Sequence, residues 1–262
     1  MTNAPPPDPA QGSTVPPVTI GYSYQPRWRN MAGLTTALTI LFWCAFGVSV
    51  LLVGATVNQR VLLEDLVSGR RTVSFDDAQA ADNFVAGTSI LLLTLMTALA
   101  VLVIVFLWRG SKNLEAKGRN GARLGPGWSI GAWFIPLANL VMPVLIVQDQ
   151  WRGTDPAAGA DNWRGRIRGS ALVGWWWALW VVASVSSGLG GGLGSNDTLQ
   201  EAVSDARVQS TGNIAFAVTI TAAAVLAVFV FRRLGQRFEA LRDRPVEQPP
   251  PRAPAPPPPA TP

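Results

Sequence analysis

The sequence lacks most of the side chains on which enzyme chemistry depends. It contains no histidine and a single cysteine, Cys44, in 262 residues. Catalytic triads with histidine and zinc or haem sites ligated by histidine are therefore excluded, and so is a disulfide within the chain. There is no glycine-rich nucleotide loop, and the acidic residues give no plausible carboxylate pair. We expect no enzymatic activity, no cofactor and no metal site.

Charge is also absent from four long apolar runs. They cover about 31–57, 84–108, 169–189 and 212–231. Each has the roughly 20 residues that a helix needs to cross a hydrocarbon core of about 30 Å. A soluble protein with helices as apolar as these would need amphipathic helices around them, and the chain has too few. The sequence therefore predicts an all-α integral membrane protein with four transmembrane helices.

A fifth apolar stretch, 125–151, is interrupted by Pro136, Asn139 and Pro143. We call it the proline segment. The two prolines are predicted to cut it into short helical pieces, because each removes a helical N–H and clashes with the preceding turn. Asn139 lies between them and could satisfy freed backbone groups at the apex of a re-entrant loop.

Basic residues predict how this segment lies. If it does not cross the membrane, 17 basic residues fall on one side and 4 on the other; if it crosses, the distribution is 8 and 13. Lysine and arginine are retained on the cytoplasmic side of bacterial membranes. We therefore expect a bacterial plasma-membrane protein with both termini in the cytoplasm. The proline segment then enters from the cytoplasm and returns, or lies flat at the inner interface.

Tryptophans and prolines support this division of the chain. Nine of the 11 tryptophans lie near the proposed cytoplasmic boundary, where indole rings favour the headgroup region. For Trp176 and Trp180, packing against neighbouring helices is an equal alternative. Prolines are concentrated outside 28–244, and we predict disordered proline-rich tails at 1–27 and 245–262. The C-terminal tail could bind an aromatic groove of a protein partner, but a solvated tail without a partner is favoured.

Ser74, followed three residues later by Asp77, has the spacing of a helix N-cap with an acidic first turn. This pattern predicts that the second transmembrane helix begins well before its apolar run.

The proline segment and its basic flanks form the candidate site. Arginines on both sides of the segment would make a polar rim suited to anionic lipid headgroups, at about 1 kcal/mol per basic residue near the surface. The simpler interpretation, in which the arginines only set the topology and the prolines only shape a wedge, is favoured for these residues, because positive-inside charge needs no ligand. The candidate residues are Trp128, Trp133, Pro136, Asn139, Pro143, Asp149, Arg119, Arg123 and Arg152. Further rim positions are Arg164, Arg166 and Arg168.

The same region resembles a known family. The stretch KNLEAKGRNGARLGPGWSIGAWFIPLANLVMPVLIVQDQWRGTDP, followed by GWWWALW, is similar to the signature of the domain-of-unknown-function 4328 family of bacterial membrane proteins. The resemblance is good over 113–180 and looser over most of 28–234. The sequence departs from the pattern at Gly125 and Val144, where the family often has a serine and an aromatic residue. The resemblance implies a multi-pass membrane protein and supplies no activity.

Three functions are open at this point. The first is a non-enzymatic membrane module that binds lipid or protein partners through the proline segment, and this is the one we expect. The second is a small oligomeric transporter or channel that uses the proline segment as a gate. The third and least favoured is an enzyme that modifies lipid. We expect no nucleic-acid partner, and the sequence does not determine the oligomeric state.

Overall fold

The computed structural model describes residues 27–160, 162–189 and 199–246. Within these ranges the chain forms α-helices and no strand. The tails predicted at 1–27 and 245–262 lie outside the described residues, except for positions 27, 245 and 246. The helices are α1 (Ala32–Ser68), α2 (Phe75–Ala116), α3 (Trp128–Gly131), α4 (Pro136–Gly153), α5 (Trp163–Arg166), α6 (Ala171–Leu189) and α7 (Leu199–Arg242).

Three of the described helices are long and apolar enough to cross a membrane. They are α1, α2 and the part of α7 that spans Val203–Arg242, while α6 contains a shorter apolar stretch, Ala171–Ser186. Large apolar side chains on α1 and α2 also face outward; Leu93, for example, is 68% exposed. An outer surface of this kind suits hydrocarbon rather than water. The fold is thus consistent with a membrane protein.

The long helices extend past the apolar runs that predicted them. With 37 and 42 residues, α1 and α2 measure about 55–65 Å at 1.5 Å per residue, well beyond the hydrocarbon thickness. The extension of α1 carries an ion pair one turn apart, Arg60 Nη2 to Glu64 Oε1 at 3.0 Å. The predicted N-cap of α2 is confirmed, since the Asp77 amide donates to Ser74 Oγ at 3.1 Å. The apolar run marks only the middle of each helix, because paired charges and caps continue it into water.

The core of the bundle is centred on Phe231 of α7, which is fully buried. Its ring lies 5.5 Å from Phe42 of α1, 5.3 Å from Phe106 of α2 and 5.4 Å from Trp176 of α6. Four helices therefore meet around one side chain. Trp176 is only 5% exposed, so the packing interpretation of this residue is confirmed.

Hydrogen bonds tie the helix ends together at one end of the bundle, which we call the basic end. The Asn113 side chain near the end of α2 exchanges two hydrogen bonds of 2.8 Å with the backbone of Arg29, just before α1. Lys117 Nζ donates to the carbonyl oxygens of Arg242 and Arg244, where α7 finishes. The start of α1 and the ends of α2 and α7 thus lie side by side.

The opposite end has its own cross-links. Arg207 Nη2 of α7 lies 2.9 Å from Glu64 Oε2 of α1, and Arg60 Nη1 donates to the Arg207 carbonyl at 2.9 Å. The connection from α1 to α2 is at this end. Consecutive long helices therefore run between the two ends.

Candidate functional site

The proline segment begins and finishes beside one residue of α2. Ser129 Oγ lies 3.2 Å from Ser111 Oγ, and Gln150 Nε2 donates to the same Ser111 hydroxyl at 3.2 Å. Between these two points the chain reaches Trp133, whose ring centroid is 6.5 Å from that of Trp180. Trp180 lies ten residues into α6, about 15 Å along a helix axis. The segment thus leaves the basic end, reaches toward the middle of α6 and returns.

The prediction that two prolines would divide this segment is wrong for Pro143. Pro136 opens α4, where its missing N–H has no helical partner to lose. Pro143 lies inside α4, which continues unbroken for 18 residues. An interior proline removes one hydrogen bond and crowds the carbonyl four residues earlier, here that of Asn139. Pro143 is buried against the bundle, and this packing holds the helix together past it.

Asn139 does not form the apex of a loop. Its amide N–H donates to the Ile135 carbonyl at 2.8 Å, an ordinary bond of the first helical turn. The turn of the chain comes earlier, between α3 and α4, where Phe134 is 75% exposed; Leu137, next to Pro136, is 80% exposed. By contrast, Ile146 and Val147 toward the end of α4 are buried. The segment therefore presents a bare apolar tip and an anchored C-terminal half.

Two glutamines anchor that C-terminal half. Gln148 exchanges two hydrogen bonds of 2.8 Å with the backbone of Ser170, just before α6. Gln150 is 1% exposed and donates to the Leu107 carbonyl of α2 at 2.6 Å. Sequence reasoning missed both as anchors. The sequence did contain a signal for this role, because both amide side chains follow an apolar run. An amide in such a place is buried only if it has hydrogen-bond partners.

Asp149 is the buried carboxylate of the site. It is 4% exposed, and its Oδ2 accepts from the Arg123 amide at 2.8 Å. Its Oδ1 lies 3.7 Å from Arg123 Nε and 3.6 Å from Arg152 Nη1. A buried charge needs such partners, because desolvation penalises an isolated one heavily. The structure therefore brings together three of the residues predicted from sequence.

The two arginines of this group border a polar cavity of about 460 Å³, which we call the arginine cavity. Its lining consists of three arginines, two asparagines and two glycines: Arg123, Arg152, Arg164, Asn120, Asn162, Gly121 and Gly165. Within the described residues, Asp149 pairs with two of these arginines, Arg123 and Arg152. The described lining thus has an excess of positive charge and several amide donors, which suits an anion.

The walls of the arginine cavity are held by α5 and the chain before α3. Trp163 is 1% exposed, and its indole N–H donates to the Asn120 carbonyl at 2.6 Å. Arg164 Nη1 donates to the Gly121 carbonyl at 3.0 Å. Gly121 and Asn162 have φ values of 92° and 60°, a left-handed conformation that glycine and asparagine adopt at low cost. Sequence reasoning missed both asparagines and interpreted Trp163 as an interfacial residue.

The remaining predicted residues lie elsewhere. Arg119 is 3% exposed, so it is a buried side chain rather than part of an open rim. Arg166 and Arg168 are exposed but do not line the cavity. Trp128 is 40% exposed at the start of α3. The predicted ring of six arginines is therefore reduced to three around the cavity.

Trp133 belongs to a second, apolar cavity of about 390 Å³ between α1, α2, α6 and α7. Its ring packs edge-to-face on Trp177 at 6.3 Å, and Trp177 stacks on Trp180 at 4.7 Å. The Trp177 indole N–H donates to the Leu140 carbonyl of α4 at 2.9 Å. The tip of the proline segment is thus joined to α6 by tryptophans.

An ion pair at the end of α4 completes the basic end. Arg237 of α7 donates to Asp155 Oδ2 at 2.9 Å and lies over the Trp151 ring, 4.6 Å from its centroid. Burial acts to raise the pKa of Asp155, but the Ala157 amide and the Arg237 guanidinium outweigh it. The pKa therefore lies below its ordinary value, and the carboxylate is charged at neutral pH.

Comparison with known proteins identifies a family for this chain. No curated protein and no solved structure matches it. The sequence profile of one family matches residues 69–236. This range holds α2 to α6, most of α7 and the whole arginine cavity. The resemblance noted in the sequence is confirmed: the chain belongs to the family described as a domain of unknown function, DUF4328.

Proposed function

We propose that this protein is a non-enzymatic bacterial membrane module that binds anionic lipid headgroups in the arginine cavity. One observation carries the proposal: three arginines border one cavity beside a helix that reaches toward the middle of the bundle, and among the described residues Asp149 pairs with two of them. Positive charge in excess beside lipid attracts phosphate, at about 1 kcal/mol per basic residue. The exposed apolar tip at the opposite end of α4 suits acyl chains.

The proposed arrangement has four transmembrane helices, α1, α2, α6 and α7, with both chain ends in the cytoplasm. Two features support it. The basic residues before α1, in the last turns of α2, α4 and α7 and in the chain that follows these helices gather at the basic end. They are 16 of the 20 basic residues that the structure describes. The proline segment leaves and rejoins that same end beside Ser111. A re-entrant segment is tolerated where protein satisfies its backbone.

Cysteine labelling tests this topology. In a Cys44→Ala background, we expect Gly159→Cys to be shielded from an impermeant maleimide in intact cells, because it belongs to the basic end. Thr72→Cys, in the exposed connection between α1 and α2, should react from outside. Both sites should react in membranes made permeable. Labelling of Gly159→Cys in intact cells, or shielding of Thr72→Cys, would contradict the four-span arrangement.

Lipid titration tests the binding itself. The purified full chain in neutral detergent is mixed with phosphatidylglycerol or with phosphatidylcholine, and bound lipid is counted by native mass spectrometry. We expect phosphatidylglycerol to bind about tenfold more tightly. Each arginine attracts the headgroup by roughly 1 kcal/mol, and the negative charge of Asp149 cancels part of this attraction. The variant Arg123→Gln/Arg152→Gln/Arg164→Gln should lose this preference.

A matched control keeps the charge change and moves it away from the cavity. Arg109→Gln/Arg166→Gln/Arg168→Gln removes three arginines from the same end without touching the cavity lining. We expect this variant to keep the preference for phosphatidylglycerol. Equal losses in the two triple variants would mean that diffuse surface charge attracts the lipid. An unchanged preference in both would refute the proposal.

A further inference from the structure

A third cavity lies at the end of the bundle opposite the arginines, where α1, α2 and α7 meet beside the α1–α2 connection. It has a volume of about 440 Å³, within the range of roughly 300–1,000 Å³ typical of small-molecule sites. One wall is apolar and includes Leu62, Leu66 and Val85. The other wall is polar and includes Asp82, Gln209 and Ser210. A cavity of this kind favours a ligand with one apolar and one polar part.

The polar wall contains an unusual serine. Ser210 is 7% exposed, and its hydroxyl forms no hydrogen bond with any described residue. Helical hydroxyls in this protein commonly donate to the carbonyl four residues earlier, as the adjacent Thr211 does to Arg207 at 2.8 Å. A buried hydroxyl without a partner is destabilising and uncommon. Ser210 lines the cavity, so a ligand there could complete its hydrogen bonding.

The charge of this cavity comes from one carboxylate. Asp82 is the ionisable side chain among the lining residues, and its Oδ1 accepts from Gln59 Nε2 at 2.7 Å. Among the described residues, no ion pair of Asp82 is found, and Arg60 and Arg207 on the facing helices are both bound to Glu64. The polar wall therefore offers one negative charge without a cationic partner.

Two further amides lie on the same wall. Gln209 and Asn213 are four residues apart on α7 and so share one face of the helix. Their carbonyl oxygens can accept hydrogen bonds, as can the Ser210 hydroxyl. A ligand with several N–H donors on a positive group would satisfy this wall and pair with Asp82.

We propose that this cavity binds a small organic ammonium ion with an apolar body. The ammonium group pairs with Asp82 and donates to the acceptors of α7, while the apolar body contacts the leucines of α1. The proposal is independent of the lipid site, since the two cavities lie at opposite ends of the bundle and share no residue.

A pair of isosteric probes tests the proposal. Binding of 2-phenylethylamine and of its neutral counterpart 2-phenylethanol to the full chain in detergent is measured by isothermal titration calorimetry. We expect the amine to bind about tenfold more tightly than the alcohol, the size of effect given by one charge-assisted hydrogen bond. Equal affinities for the two probes, or no binding of the amine up to millimolar concentration, would overturn the proposal.

Two variants localise the effect. Asp82→Asn keeps an acceptor for Gln59 but removes the charge, so the advantage of the amine should disappear. Asp65→Asn, an acidic position near the end of α1 that does not line the cavity, should preserve it. Ser210→Ala should weaken amine binding about threefold without lowering the melting temperature. If Asp65→Asn abolishes the advantage as well, or if Ser210→Ala leaves amine affinity unchanged, the cavity is not the binding site.

Discussion

We expect replacement of Asp149 by alanine to lower the free energy of unfolding by about 3 kcal/mol, because removing one partner of a buried ion pair leaves the other charges uncompensated. Asp149 is 4% exposed and accepts the Arg123 amide at 2.8 Å. Without the carboxylate, this N–H and the guanidinium groups of Arg123 and Arg152 would face each other across the end of α4. The change can be measured by unfolding in mixed micelles, followed by tryptophan fluorescence.

Two further variants separate charge from hydrogen bonding. Asp149→Asn keeps an oxygen for the Arg123 amide, so its loss should be smaller than that of Asp149→Ala. Asp155→Ala removes an acidic residue from another pair, with Arg237, whose side chains are 24% and 27% exposed. This pair is half-buried and partly screened by solvent, and we expect a loss of about 1 kcal/mol. A loss in Asp149→Ala no larger than that in Asp155→Ala would show that Asp149 does not stabilise the fold.

The sequence predicted the long helices well because apolar runs report directly on burial in lipid or protein. The run 84–108 lies inside α2, and the run 31–57 lies inside α1 except for its first residue. Their C-terminal ends were placed too early, since an ion pair such as Arg60–Glu64 lets a helix continue where the apolar run stops. Hydropathy carries no information about such pairs. The prediction for Pro143 failed for a related reason. It considered the hydrogen bond that a proline removes from a helix, but not the packing of α4 against its neighbours.

The arginine cavity could be predicted only in part. Charge counting placed basic residues near the proline segment, and Arg123, Asp149 and Arg152 do lie together. The cavity itself depends on contacts between distant parts of the chain, such as the bond from the Trp163 indole to the Asn120 carbonyl. No pattern within either stretch indicates that bond. The burial of Arg119 likewise follows from tertiary packing.

A close approach between α1 and α7 should make Gly235 sensitive to added volume. Gly235 of α7 is buried, and a Cβ atom there would overlap the Thr35 side chain of α1, with Thr35 Cβ 2.9 Å away. Thr35 cannot turn aside easily, because it is β-branched and its hydroxyl donates to the Met31 carbonyl at 2.9 Å. Small residues allow close helix packing in membranes. We expect Gly235→Ala to cost about 2–3 kcal/mol of unfolding free energy, the usual range for overpacking.

Two glycines of α1 provide the matched control. Gly47 and Gly54 have no atom within 4 Å of an added Cβ, so alanine there should leave stability unchanged or raise it by up to about 1 kcal/mol through helix propensity. The three variants carry the same substitution and differ only in what the methyl group meets. Unfolding in mixed micelles should therefore separate Gly235→Ala from the other two. A loss at Gly47 or Gly54 equal to that at Gly235 would mean that glycine flexibility, rather than close contact, is required.

A second substitution should identify the contact itself. Thr35→Ala removes the hydroxyl and methyl groups that an added Cβ would overlap but leaves the Thr35 Cβ atom at 2.9 Å. In the Gly235→Ala background it should therefore restore part of the lost stability and not all of it. Contacting residues couple in this way, by roughly 0.5–3 kcal/mol in double-mutant cycles, whereas distant ones add independently. Strict additivity of Thr35→Ala and Gly235→Ala would show that α1 and α7 are not in contact at these two residues.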